Sequence, residues 1–547
     1  MIEWLMGYPM RIVMAFIFFI ICTGLGGGAF RFARLAMPQS WFPAIWSGVG
    51  VLVFYLMLWH LFFPVDKLSL IIPCGISLLG WIRIWKNVKI SSFQKGMIIP
   101  VIFLILFFGL KMAETDFMYD SLVYHFQTIR WYEQYAIIPG HANLLIYFGF
   151  NQSWFLLGAF LNALVGSPTG VFILNGSFLG LAAIEWIFRF RFAVVNRNTM
   201  LMLFSIGSLL LLFRSVNLSS PSPDVLVTII TLQVLGIGIT KYLKGQFQTI
   251  RGNYLLWILS WGVACKLSLS GLLLGWILYL LFITSKKNIQ PKIILGCLLI
   301  GGIFIIRGII LSGYPLFPTQ LLGLDLIWKV PQEKVQALSD FIKGFARTGT
   351  HGYWTLPEFQ DGSWIHKWIQ INRTKPAIWI GIIGFIAWII KLVKTPKGKS
   401  RIQLISFCIP LLALIIWFWA APDVRFANAL LWGVGLLGVG LWLPELPIRW
   451  KISPWVWISL PCLISFIWIP LHPQWPKEIP QSACISQMMT SGWKVNTPAF
   501  IKYDDWRIAT CALPTSVRPD SSLRMIGTTF QQGFFNIPKP HANTVKE

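Results

Sequence analysis

The chain is a succession of apolar runs, most of them near the roughly twenty residues that a helix needs to cross a hydrocarbon layer. They are separated by short connections that alternate between basic and nearly uncharged. Away from water every backbone N–H and C=O must be paired within the fold, and runs of this length meet that demand as helices. The expected fold is an all-α polytopic membrane protein. A soluble fold is excluded: 56% of the 547 residues are hydrophobic and 12% are charged, which would demand a core too large for its surface.

A net charge of +25 would point to nucleic acid in a soluble chain. Here the cations fall in loops between spans: Arg31 and Arg34, Lys86 to Lys95, Arg189 to Arg197, Lys241 to Arg251, Lys286 to Lys292, Lys391 to Arg401 and Arg449 to Lys451. This is the positive-inside pattern, so these loops are expected in the cytoplasm, with the bilayer and its anionic lipids as their partner and no nucleic acid. Cys22, Cys74, Cys265, Cys297, Cys408 and Cys462 lie in apolar runs as small hydrophobes. Cys484 and Cys511 lie in a polar tail expected outside the cytoplasm, where oxidation of the pair to a disulfide is expected.

Spans are expected near 9–29, 42–63, 68–85, 97–110, 169–188, 199–214, 224–240, 253–266, 269–284, 292–312, 377–394, 402–420, 426–444 and 454–471, about fourteen in all. The first lacks a small-residue cleavage site and is expected to be retained. From Asp120 to Ala136, apolar residues at Leu122, Phe126, Ile129, Tyr132 and Ala136 follow a helical repeat with polar residues opposite, which predicts an interfacial helix ended by Pro139-Gly140. Phe150 to Val165, read as a span, would put Arg189, Arg191 and Arg197 on the wrong side, so a second reclined helix is expected there. The segment from Ser312 to about 376 is too long for a plain connector and is expected to fold over the outer face. The tail from 472 shows strand-like alternation and is expected to form a small extracytoplasmic domain.

The ionisable residues Asp116, Asp120, His125, Arg130, His141, Asp224, Lys266, Arg307, Asp423 and Arg425 all fall on outer loops or outer span ends. Groups at one membrane level can meet across a bundle as a single site. Each also has a plain structural role. Asp120 stands where an N-cap would, evenly balanced against a catalytic carboxylate. Asp224 after Pro223 reads as a cap, Asp116 as a solvated loop carboxylate, and Glu185 as a pair with Arg189 one turn on. Arg130 can pair with Glu133 or Glu114, and His125 and His141 read more readily as satisfied histidines than as ligands. Lys266 at a tight hairpin is placed to bind an anion, and Arg425 divides evenly between a pair with Asp423 and phosphate recognition. No cofactor is required by these residues; a divalent metal stays open, its ligands unknown.

Tyr119-Asp120-Ser-Leu-Val-Tyr-His125, Ile129-Arg-Trp131, Pro139-Gly140, Phe150-Asn151-Gln-Ser-Trp154, Ser222-Pro-Asp224, the span containing Lys266, Ser312-Gly-Tyr-Pro-Leu-Phe-Pro318 and Ala421-Pro-Asp-Val-Arg-Phe426 together resemble the GT-C class of glycosyltransferases. The similarity is to the dolichyl-phosphate-mannose and lipid A aminoarabinose transferase type, and more closely to a group of bacterial multispanning relatives. It covers roughly 97 to 444, and it implies a GT-C-like core (97–471, with outer loops 111–168 and 313–376), additional N-terminal helices (1–96) and the tail (472–547). It further implies an inner-membrane enzyme with a periplasmic site. That enzyme would move a sugar from a polyprenyl-phosphate donor to a glycan, lipid or protein acceptor, with inversion. The resemblance places a catalytic carboxylate at Asp120. The chain has Asp-Ser where the class has an Asp-Glu pair, so Asp116 stays open as the base.

A lipid phosphate is a good leaving group, so such a transfer needs one carboxylate base and cations for the departing phosphate, here Arg425, Lys266 and Arg307. His125, Arg130, His141 and Asp224 complete the expected substrate-binding set. Two alternatives remain: a glycan polymerase or ligase using diphosphate-linked donors, and a lipid-linked sugar flippase or transporter. The latter favours midplane charges and repeated halves, which this sequence lacks.

Overall fold

A computed structural model describes residues 2–33, 41–87, 98–112, 120–166, 169–214, 218, 220–239, 249–282, 290–349, 362–396, 407–444, 522–527 and 529–537. The helices are α1 (Ile2–Phe32), α2 (Trp41–Trp59), α3 (Ile71–Asn87), α4 (Ile98–Met112), α5 (Phe126–Gln134), α6 (Trp154–Val165), α7 (Thr169–Val195), α8 (Thr199–Phe213) and α9 (Asp224–Gln233). They continue with α10 (Thr249–Cys265), α11 (Ser270–Phe282), α12 (Pro291–Ser312), α13 (Gln332–Thr348), α14 (Trp364–Asn372), α15 (Pro376–Lys394), α16 (Cys408–Ala420) and α17 (Val424–Gly440). Among the described residues five helices, within α1, α2, α7, α12 and α15, are long and apolar enough to cross a membrane. The fold is that of an all-α membrane protein. Each expected span from 9–29 to 426–444 overlaps a described helix; 454–471 lies outside the described residues.

One apolar core runs from Phe18 and Trp46 through Trp154, Phe178 and Trp261 to Leu437. Between apolar helices in lipid, close packing replaces the hydrophobic drive, and small residues permit it. Gly48 of α2 faces the Cys22 carbonyl of α1 so closely that a Cβ there would collide with it. The outward faces are apolar as well: Leu78 and Leu79 of α3 and Leu298 of α12 are each more than 60% exposed, a pattern suited to lipid.

The helix expected over 120–136 opens with a π-helical turn, Ser121–His125, before α5 begins. One expectation about the segment after α4 is corrected. The helix expected to recline in the interface, α6, is buried on every side from Trp154 to Asn162, enclosed by α2, α5 and α7. Its twelve residues are too short to span. Its polar residues are satisfied inside the protein, because Asn162 accepts from the Val171 N–H at 2.7 Å and donates to Glu133.

The described residues after Ser312 fold back onto the turns that follow α5. Tyr314, Phe317, Val330, Val335 and Leu338 form a second core with Ala142, Tyr147 and Phe150. Most of the tail, including Cys484 and Cys511, lies outside the described residues. Its described part is an antiparallel hairpin, β1 (Leu523–Met525) and β2 (Phe534–Asn536), with Met525 opposite Phe534. The hairpin docks on the turn after α5: the Phe534 N–H donates to Pro139 O at 3.0 Å, and Asn536 donates to Asn143 Oδ1 at 2.6 Å. Gly140 sits at the contact with φ +64°, where a Cβ would strike the Phe534 carbonyl.

Candidate active site at one end of the helix bundle

Four chain reversals meet at one end of the bundle: the π turn before α5, the Ser220–Pro223 loop before α9, the α10–α11 turn, and the α16–α17 turn. The first three contribute one charged group each, Asp120, Asp224 and Lys266, and the α16–α17 turn contributes two, Asp423 and Arg425. Arg425 lies 3.8 Å from Asp120, 3.7 Å from Asp224 and 3.9 Å from Asp423. Lys266 pairs with the other oxygen of Asp224. Both cations lean on the Phe426 ring, Lys266 at 5.1 Å and Arg425 at 4.9 Å.

Local structure fixes each of these groups. Asp423 is the N-cap of α17 and accepts from the Arg425 N–H at 2.9 Å, while Trp417 and Trp368 donate to the Asp423 and Pro422 carbonyls. Asn175, fully buried in α7, donates to the carbonyls of Ser220 and Ser222 and accepts from Trp154 at 3.0 Å. It thereby holds the loop that carries Asp224. Pro223, not Asp224, is the cap residue of α9, so the carboxylate expected to cap that helix instead turns to Lys266 and Arg425.

Asp120 also differs from the cap it was expected to resemble: it stands at the N-cap position but makes no side-chain cap bond. Its carboxylate is 40% exposed, the most open of the three near Arg425. Burial pushes its pKa up from the ordinary value, opposed by Arg425 and Lys266. A carboxylate that is both accessible and more basic than usual suits proton abstraction. Tyr124, buried against Tyr147 and Phe150, forms an aromatic wall behind it.

His125 lies beside the cluster but is enclosed. Its Nδ1 is 3.3 Å from Ser121 Oγ, which is 2.6 Å from Ser220 Oγ. Burial, with Lys266 nearby, pulls its pKa down to about 3, so the ring is neutral. The structure thus brings together Asp120, Asp224, Lys266 and Arg425, with His125 against them.

It does not bring the other expected residues to this cluster. Arg130 pairs with Glu133 at 3.7 Å along α5. His141 is buried between Trp131 and Phe148, near the docked hairpin. Arg307 is wholly buried in α12, donating to Asn151 Oδ1 at 3.2 Å and reaching His60 Nδ1 at 3.0 Å. Asp116 lies outside the described residues. Among the described residues no group of three metal-ligating side chains is brought together.

Asn175 and Ser220 were not singled out by the sequence, and Tyr124 and Phe426 were quoted within longer motifs but given no role, although a lone Asn inside an apolar span is a usable signal. Glu185, expected in a plain helical pair, makes that pair and also joins α2 and α9 by accepting from Trp46 at 2.8 Å and Gln233 at 2.5 Å.

The fold and cluster define an all-α membrane protein with carboxylates and cations gathered at one end. Residues 10–432 match the family described as Domain of unknown function (DUF8201), and the chain belongs to it. The match runs from α1 into α17 and includes every charged group of the cluster. No curated protein and no solved structure matches the chain.

Proposed function

We propose that the protein is a GT-C-type glycosyltransferase of the bacterial inner membrane, with about fourteen spans and its site outside the cytoplasm. It moves a sugar from a polyprenyl-phosphate donor to a glycan, lipid or protein acceptor. The observation that carries this reading is the placement of an accessible carboxylate, Asp120, across Arg425 from a second cation, Lys266.

In this reaction the acceptor hydroxyl oxygen attacks the anomeric carbon and Asp120 takes its proton. The bond from that carbon to the phosphate oxygen breaks, and the electron pair leaves with the polyprenyl phosphate. Lys266 and Arg425 stabilise the charge that collects on the departing phosphate. The apolar faces of the bundle receive the polyprenyl chain, and the described residues 313–349 and 362–376 lie over the acceptor side. Arg307, enclosed among Asn151, His60 and Tyr132, takes no part in this step.

Native mass spectrometry of the full chain with added polyprenyl-phosphate sugar tests the reading. Wild-type protein should retain the lipid, and the Lys266→Gln/Arg425→Gln double variant should lose it. Equal retention by both would contradict the proposal.

A further inference from the structure

The cluster is net negative. Asp120, Asp224 and Asp423 stand against Lys266 and Arg425, three carboxylates to two cations. A phosphate entering such a site meets like charge unless one carboxylate gives way.

The three carboxylates are not equally placed to do so. Asp423 is engaged as the N-cap of α17. Among the described residues Asp120 forms an ion pair with Arg425 alone, at 3.8 Å, and it lies at the open rim. Asp224 occupies the seat between the cations: one oxygen is on Lys266 Nζ, and the other is 3.7 Å from Arg425 Nε. It also stands in the first turn of α9, where a helix favours an anion. Its loop is held from behind by Asn175 and the backbone N–H groups that reach Ser220 Oγ and Ser222 Oγ. The side chain can therefore leave the cations without unfolding the loop.

We propose that Asp224 is an exchangeable internal counter-ion. Its carboxylate fills the place of a ligand phosphate between Lys266 and Arg425, and the phosphate of an isoprenoid lipid must displace it to bind. This deepens the functional reading above and rests on it. Resting neutralisation keeps two partly buried cations paired in the empty site, and exchange couples phosphate entry to release of a carboxylate beside Asp120.

The test is binding of farnesyl phosphate to the detergent-purified full chain, with farnesol as the uncharged control. Asp224→Asn should bind farnesyl phosphate about tenfold more tightly than wild type. Asp224→Glu, which keeps the competing charge, should bind like wild type, and Lys266→Gln should bind more weakly. Farnesol affinity should be the same in all four. If Asp224→Asn does not fold, Asp224→Ser removes the charge with the Asn175 bonds retained, and the same tightening is expected.

Unchanged or weaker phosphate binding by the neutral variants, with Lys266-dependent binding by wild type, overturns the exchange and leaves the functional reading standing. Tighter binding of farnesol and farnesyl phosphate alike also overturns it, because the pocket would then simply have opened. Wild-type binding that ignores the phosphate and is unaffected by Lys266→Gln removes both.

Discussion

The Arg425 guanidinium lies 3.8 Å from the Asp120 carboxylate, joining the turn before α17 to the π turn before α5. The same guanidinium reaches Asp224 and Asp423, so one side chain organises three carboxylates from separate turns. A planar fork can serve several acceptors at once; an ammonium of the same charge acts as a point. Arg425→Lys is therefore expected to express normally and to lower sugar transfer by about tenfold or more. An initial-rate comparison in proteoliposomes checks this, and a full rate in the lysine variant would count against the geometry.

Asn175 gives a prediction of a different kind, because it touches no charged group. Its side chain serves two buried carbonyls and one indole N–H. Asn175→Ala leaves these without partners and should lower stability by about 1–3 kcal/mol. A melting curve in detergent measures the loss. Transfer should fall as well, because the loop carrying Asp224 loses its support.

Two buried histidines predict acid sensitivity. Burial lowers His125 and His141 to about 3, well under the ordinary histidine value near 6.5. Between those values the unfolded chain binds protons that the folded chain does not, so stability falls as pH drops below about 6.5 and levels off near 3. Replacing His141 by Phe should flatten part of that slope in denaturation curves taken between these limits. An unchanged slope would show that the ring is not held neutral.

The helices were readable along the chain because run length and loop charge are properties of sequence alone. Asp120, Asp224, Lys266 and Arg425 were readable as one level of the bundle for the same reason. Level along the axis does not give direction around it: Arg307 was placed at that level, yet it faces His60 and Asn151 inside the bundle. His141 likewise packs against Phe148 and against Trp131, which meets the hairpin at Phe534. The buried setting of α6 was hidden because an apolar helix surrounded by protein and one reclined in lipid share a composition. The π turn before α5 was unreadable because its residues carry an ordinary helical pattern, and the docking of β2 on Pro139 depends on segments nearly four hundred residues apart.

Asp120 carries the central claim, and the most direct measurement is transfer of labelled sugar from a polyprenyl-phosphate donor by reconstituted wild-type protein and Asp120→Asn. The substitution removes the proton acceptor and keeps the shape. The account predicts that the variant expresses normally, binds the donor, and transfers about 100- to 10,000-fold more slowly. Transfer at the wild-type rate by Asp120→Asn would contradict it.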